Sequence, residues 1–181
     1  MRKVLVAKSK FISMVLRHDP GAIGLSLDHN GWADIADLLA KAAAGGSAIT
    51  RAELEEIVET SEKKRFELDA AGSRIRASHG HSVEVDVELA AAEPPEELFH
   101  GSAVQNVDSI LAKGLIRGER QHVHLAAEVA TALRVGSRHG RPVVFRVASG
   151  AMHRRGFVFY LSKSGVWLTR EVPAEFVENW P

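Results

Sequence analysis

The sequence predicts an α+β chain of two lobes, and three observations predict it. The first half carries helix-spaced apolar residues and then a hairpin pattern. A Pro94-Pro95 pair interrupts the chain inside an Ala- and Glu-rich stretch, where a central strand cannot run. Beyond it, short strand patterns outnumber helical ones. The lobes are expected at residues 1–90 and 91–181.

Each element has its own local reason. Val4, Phe11, Ile12, Val15 and Leu16 are partly at helical spacing, which predicts a helix from about Ala7. Arg17-His18 ends it, and Asp19-Pro20 stops it. "DHNGW" is a turn leading to Trp32, and "ADIADLLAKAAA" is helical with Ile35, Leu38 and Leu39 on one face. "GGS" breaks that helix. "TRAELEEIVET" follows, with Thr50 as N-cap and Glu53 completing a capping box. "RFELDAAGSRIRAS" holds two short strands around an Ala-Ala-Gly-Ser turn. Helices followed by a hairpin give the first lobe the pattern of a winged helix. In the second lobe "LFHGS" reads as a strand end and "AVQNVDSILAKGL" as an amphipathic helix stopped by Gly114. "HVHLA" is a short strand, "EVATALRVGSR" a helix, and "PVVFRVAS" a strand opened by Pro142. "FVFYLSKSGVWLT" reads as a hairpin with a Lys-Ser-Gly turn, so this lobe is expected to be mainly β with two helices.

Bulk chemistry narrows the function classes. The chain has 181 residues, with 23 Lys and Arg balanced by 23 Asp and Glu. A nucleic-acid ligand would therefore be held by a local basic site and not by a global field. There is no cysteine, which excludes disulfides, thiolate zinc sites and a Cys nucleophile. No apolar run approaches the ~20 residues of a membrane span. The N-terminus lacks the apolar stretch of a secretion signal, so a cytoplasmic monomer without a membrane partner is expected.

The motifs that carry chemistry are short and basic. Arg17-His18 at a helix end suits a dipole cap and a phosphate grip equally. Lys63, Lys64 and Arg65 are either a solvated basic turn or a phosphate site to which Arg65 adds a planar fork. In "FHGS", His100 can bond ribose hydroxyls, Gly101 permits close backbone approach to a ligand, and Ser102 can bond an amide. His122 and His124 alternate with Val123, which puts them on one face of a strand, two residues beyond Arg120. They lack a third ligand at a usual spacing, so no metal is expected. "RVGSRHGRPVV" brings Arg134, Arg138, His139 and Arg141 together, as a basic loop or a contact for pyrophosphate or RNA phosphates. The Rossmann glycine fingerprint, the Walker loop and the serine nucleophile elbow are all missing from the sequence.

Taken in order, "SKFISMVLRHDP", "GLSLDHNGW", "KKRFEL", "IRASHGHS", "ELFHGS", "ILAKGL", "RQHVHL", "VGSRHG" and "SGVWLT" resemble the RNA 2′-phosphotransferase family over essentially the whole chain. The family consists of NAD-dependent enzymes that remove a 2′-phosphate from spliced tRNA. The resemblance implies an N-terminal winged-helix RNA lobe and a C-terminal ADP-ribosyltransferase-like NAD lobe. It maps the catalytic tetrad onto Arg17, His18, Arg65 and Arg120, with Lys64 joining Arg17, His18 and Arg65 in RNA binding. His100, His124 and Val166 take the ADP-ribosyltransferase signature positions, and Gly101, Ser102, His122, Leu125 and Arg138 extend the NAD contacts. Val166 stands where many ADP-ribosyltransferases carry glutamate, which is itself what the phosphotransferase family shows. Ser102 replaces a frequent Thr and keeps the hydroxyl, whereas Ala126 replaces a hydroxyl residue.

The implied reaction has two steps. The RNA 2′-phosphate attacks the anomeric carbon of the nicotinamide ribose and nicotinamide leaves, giving a 2′-phospho-ADP-ribosylated RNA. The neighbouring ribose hydroxyl then attacks phosphorus, releasing 2′-OH RNA and ADP-ribose 1″,2″-cyclic phosphate. Arginines can carry the charge, and the nucleophile of the first step is already anionic. Two other readings keep parts of this picture: an ADP-ribosyltransferase acting on terminal phosphates of RNA or DNA, and a non-enzymatic winged-helix nucleic-acid binder. The acidic "TRAELEEIVET" helix weighs against the last.

Overall fold

The computed structural model describes residues 3–61 and 64–181, so Lys63 lies outside the described residues. The protein is mixed α and β, with small antiparallel sheets and six α-helices among the described residues. It divides into two compact units, Met1–Glu88 and Leu89–Pro181.

In the first unit, helix α1 spans Lys3–Arg17. It begins a turn earlier than the sequence predicts, because Leu5 and not Val4 starts its apolar stripe. Leu5 is 1% exposed and Val4 62%, and Leu5, Ile12 and Leu16 line the buried side. Ala33–Asp34 form strand β1 rather than the first turn of the next helix. Asp34 instead caps helix α2 (Ile35–Ala44), its carboxylate accepting from the Asp37 N–H at 2.9 Å. Helix α3 (Arg51–Thr60) starts with the expected capping box between Thr50 and Glu53. Strands β2 (Phe66–Leu68) and β3 (Arg74–Ala77) pair antiparallel, and β1 adds to β3, giving the order β1-β3-β2. The core is built from Ile12, Val15 and Leu16 of α1, Leu38 of α2, Ile57 of α3, and Phe66 and Ile75 of the sheet. Lys8 of α1 donates to Glu53 of α3 at 2.6 Å, tying the two helices together.

The second unit opens with β4 (Leu98–Ala103), helix α4 (Val107–Lys113), β5 (Leu115–Ile116) and β6 (Val123–Leu125). Helix α5 (Val129–Gly136), β7 (Pro142–Val147) and helix α6 (Ser149–Arg154) follow. The chain ends with β8 (Phe159–Leu161), β9 (Trp167–Thr169), β10 (Glu171–Val172) and β11 (Val177–Asn179). Three antiparallel sheets result, ordered β11-β7-β4, β6-β9-β8 and β10-β5. The first two meet where Phe99 and Ala126 exchange main-chain hydrogen bonds of 2.8 Å. The unit has three helices, not the expected two. The extra one, α6, is a single short turn-and-a-half whose buried Met152 anchors it, too short for its periodicity to register in the sequence. The Pro94-Pro95 stretch packs on this unit, with Ser149 Oγ donating to the Pro95 carbonyl at 2.6 Å.

Candidate active site

Arg17 reaches the main chain of Arg65 in the first unit although 48 residues separate the two, and His18 follows Arg17 directly. Arg17 is the last residue of α1, where its positive charge also complements the helix dipole. Its guanidinium donates to the main-chain carbonyl of Arg65 at 3.4 Å. Arg65 sits just before β2, and the same carbonyl accepts from the Ser78 N–H at 2.9 Å. Next to it, Lys64 adopts a left-handed backbone (φ 39°), unusual for a residue with a side chain. That turn is held by Ser78, whose hydroxyl donates to the Lys64 carbonyl at 2.7 Å. The Lys64 ammonium donates to the Glu59 carbonyl at 3.3 Å.

The loop after β3 closes against the end of α1. The N–H groups of Ser82 and Val83 donate to the Arg17 carbonyl at 2.9 and 3.3 Å, completing a helix end. His18 Nδ1 lies 3.0 Å from Ser82 Oγ. His81, one residue earlier, is 1% exposed, and its Nε2 has no hydrogen-bond partner. Burial, and then the charges of Arg17, His18 and Arg76, push its pKa from 6.5 down to about 4. His81 and Ser82 escape sequence reasoning because their partners lie far off along the chain, 64 residues for His18 and Ser82. The two histidines in "SHGHS" were the only available signal.

In the second unit His100 lies on β4, and its Nδ1 is 3.0 Å from the main-chain carbonyl of His124 on β6. A carbonyl only accepts, so Nδ1 carries the proton and Nε2 is the accepting nitrogen of the neutral ring. Burial lowers the His100 pKa, opposed by the His124 carbonyl and assisted by the charges of Arg120 and His139. His124 Nδ1 is 3.1 Å from the His122 carbonyl and is fixed in the same tautomer. His122 itself precedes β6, and its ring meets Tyr160 edge-on at 5.4 Å. Burial lowers its pKa, with Arg117 adding to the effect.

The structure gives three of the expected NAD-site residues a packing role as well. Leu125 is 2% exposed inside the hydrophobic core, so only its main chain can face a ligand. Gly101 packs its missing side chain against α5: a Cβ there would stand 1.7 Å from the Ala132 carbonyl oxygen. Ser102 is buried, and its hydroxyl accepts from Asn106 Nδ2 at 3.0 Å. Arg120 and Arg138 are exposed in loops, Arg120 ahead of β6 and Arg138 after α5. Val166 is half-buried in the turn before β9, its N–H donating to Ser162 Oγ at 3.1 Å. Ala126 pairs through its backbone with Phe99 and packs against the cluster of Phe99, Ala132 and Val144. No cluster of metal-ligating side chains occurs among the described residues. No helix among them is long and apolar enough to cross a membrane.

Arg17 ends a helix, and His100 and His124 in the second unit are held by main-chain carbonyls at Nδ1; such groups suit phosphorylated ligands. The sequence comparisons make that class specific. The family model described as RNA 2′-phosphotransferase, Tpt1/KptA family, matches residues 3–171. A protein of Hahella chejuensis is 54% identical over 177 residues, covering 98% of this chain and 95% of the relative. One of Nostoc punctiforme is 49% identical over 175 residues, covering 97% of each. One of Agrobacterium fabrum is 54% identical over 171 residues, covering 94% and 92%. Each carries the name "Probable RNA 2′-phosphotransferase". The chain belongs to the RNA 2′-phosphotransferase family and is an enzyme.

Proposed function

We propose that the enzyme removes an internal 2′-phosphate from RNA by transferring it to NAD, in the two steps set out above. The observation that carries the proposal is that the Arg17 guanidinium, at the end of α1 beside His18, reaches the main chain of Arg65. A phosphomonoester dianion has to be held and aimed, and planar guanidinium forks do both.

In this reading the first unit is a winged-helix RNA lobe. Three helices followed by a hairpin, with β1 joined to it, support that assignment. The second unit is the ADP-ribosyltransferase-like NAD lobe, in which NAD supplies the electrophilic ribose carbon and the diphosphate. His100 fits a ribose hydroxyl: its acceptor nitrogen takes an O–H and can give none in the neutral state. His124, locked in the same way, offers a second acceptor, and Arg138 supplies charge for a pyrophosphate. The first step needs no general base, since the phosphate is already charged. With Val166 where a carboxylate would stabilise an oxocarbenium-like transition state, the bound phosphate provides that negative charge. In the second step charge builds at phosphorus, and Arg65 and Arg120 are assigned to it. Lys64 adds a phosphate contact for the RNA chain. Spliced tRNA is the implied substrate type, met in the cytoplasm by a monomer.

The alternative acceptor, a terminal phosphate, is tested by competition. One oligoribonucleotide with an internal 2′-phosphate and another with a 5′-phosphate are supplied together with NAD. The proposal expects consumption of the first and survival of the second. Preferential modification of the 5′-phosphate would transfer the assignment to terminal ADP-ribosylation.

A further inference from the structure

We propose that Ser78 is a positioning residue: its hydroxyl clamps Lys64 in a left-handed backbone and so sets the direction from which Arg65 meets the phosphate. The inference rests on the functional reading above and brings into it a residue that the catalytic and binding assignments leave out. Ser78 directly follows β3 and is 2% exposed. Its hydroxyl donates to the Lys64 carbonyl at 2.7 Å, and its main-chain N–H donates to the Arg65 carbonyl at 2.9 Å. One buried residue therefore holds two successive carbonyls of the segment that enters β2. On its other side Lys64 donates its own N–H to the Ser61 carbonyl at 3.0 Å. Both main-chain groups of Lys64 are tied, and φ between them is 39°. A residue with a Cβ keeps that conformation only where its neighbours over-determine it.

The consequence falls on the next residue. The Lys64 carbonyl belongs to the planar peptide unit that ends at the Arg65 Cα. Fixing this carbonyl fixes where the Arg65 side chain leaves the main chain. Without the hydroxyl, Lys64 relaxes toward negative φ and the peptide plane turns. The Ser78 N–H bond continues the β2–β3 ladder beyond the Phe66–Ala77 pair. Ser78→Ala keeps that bond and removes only the clamp, so aiming is separable from strand pairing.

The test uses the full-length protein. Hydrogen exchange of the Lys64 amide and of the position-78 amide is expected to rise about tenfold in Ser78→Ala, the worth of one hydrogen bond. The Leu54 amide, which donates to the Thr50 carbonyl within α3, is the reference for global opening. Unchanged exchange at Lys64, or an equal rise at Leu54, overturns the clamp, whether or not the protein acts on RNA. Single-turnover kinetics give the second reading. Ser78→Ala is expected to slow the second step about tenfold and the first by less than about twofold. Glycine adopts the left-handed backbone freely, so Ser78→Ala is expected to cost the second step less in a Lys64→Gly background. Equal costs in the two backgrounds, or equal loss of both steps, overturn the positioning role. Ser78→Cys, close in size and a weak donor, replaces the alanine variant if that variant does not fold. A wild-type protein that turns over no 2′-phosphorylated RNA refutes the functional reading separately, and the clamp still stands or falls on the exchange.

Discussion

The Arg17 guanidinium donates to the main-chain carbonyl of Arg65 and not to its side chain, across 3.4 Å. The backbone of one arginine thus orients the fork of the other. Truncating Arg65 therefore leaves the support of Arg17 in place.

Arg65→Ala is accordingly expected to impair the second step far more than the first. Losing one preorganised donor at a developing charge costs ~3–4 kcal/mol, a factor of about 10² to 10³ in rate. Phospho-ADP-ribosylated RNA should accumulate, visible as a slower-migrating RNA that retains its phosphate. Equal loss of both steps would contradict this division of labour. Arg17→Lys is expected to rescue little, because a single ammonium cannot reproduce the two-pronged geometry.

His81 predicts a pH dependence of stability. Its pKa falls from 6.5 to about 4 in the folded protein, first through burial and then through Arg17, His18 and Arg76. Between those values the unfolded chain holds a proton that the native protein refuses. Stability is therefore complete above the unfolded pKa and declines as pH falls through the window, by roughly 3 kcal/mol at most from this residue. Burial lowers His100 and His122 as well, with the same sign. Urea unfolding at pH 7 and pH ~4.5 should give a smaller pH difference for His81→Gln than for the wild type. An unchanged difference would show that His81 is not the group responsible.

Gly101 predicts an intolerance that packing alone imposes. A methyl group would overlap the Ala132 carbonyl, and the reciprocal glycine, Gly136, would place one 2.6 Å from the Ser102 carbonyl oxygen. Helix α5 lies directly on β4 because both positions lack a side chain. Gly101→Ala should cost about 3 kcal/mol or more through forced separation of helix and strand. Gly21→Ala, whose nearest contact is a flexible Asp19 carboxylate oxygen at 3.4 Å, is the control. Thermal melts of the two variants decide it, and equal melting points would refute the packing argument.

His100 predicts how the NAD site treats its ligand. With Nδ1 committed to the His124 carbonyl, Nε2 is the nitrogen that the proposed function assigns to a ribose hydroxyl. An NAD analogue lacking that hydroxyl should bind about fivefold to tenfold more weakly to the wild type, and removing the hydroxyl should matter little in His100→Ala. An analogue penalty of the same size in both proteins would remove His100 from the ribose contact.

The sequence shows its local devices plainly. The Thr50–Glu53 capping box, the stop at Gly114, the Pro142 strand start and the Lys-Ser-Gly hairpin all act within a few residues, where spacing carries the information. The neighbours that shape the site come from far along the chain. Ser82 reaches back to His18, and Gly101 meets a helix some thirty residues on, which no periodicity encodes. Leu125 stands within a motif, and its side chain is core. The resemblance to a family brought Arg17 and Arg65 into one argument before any contact was known. It could not say that a main-chain carbonyl joins them.

The most direct measurement incubates the protein with an oligoribonucleotide bearing one internal 2′-phosphate, with and without NAD and without added metal. The products are then resolved. NAD-dependent conversion to 2′-OH RNA with release of ADP-ribose cyclic phosphate is the result predicted. Loss of the phosphate without NAD, or no reaction of either substrate, would contradict it.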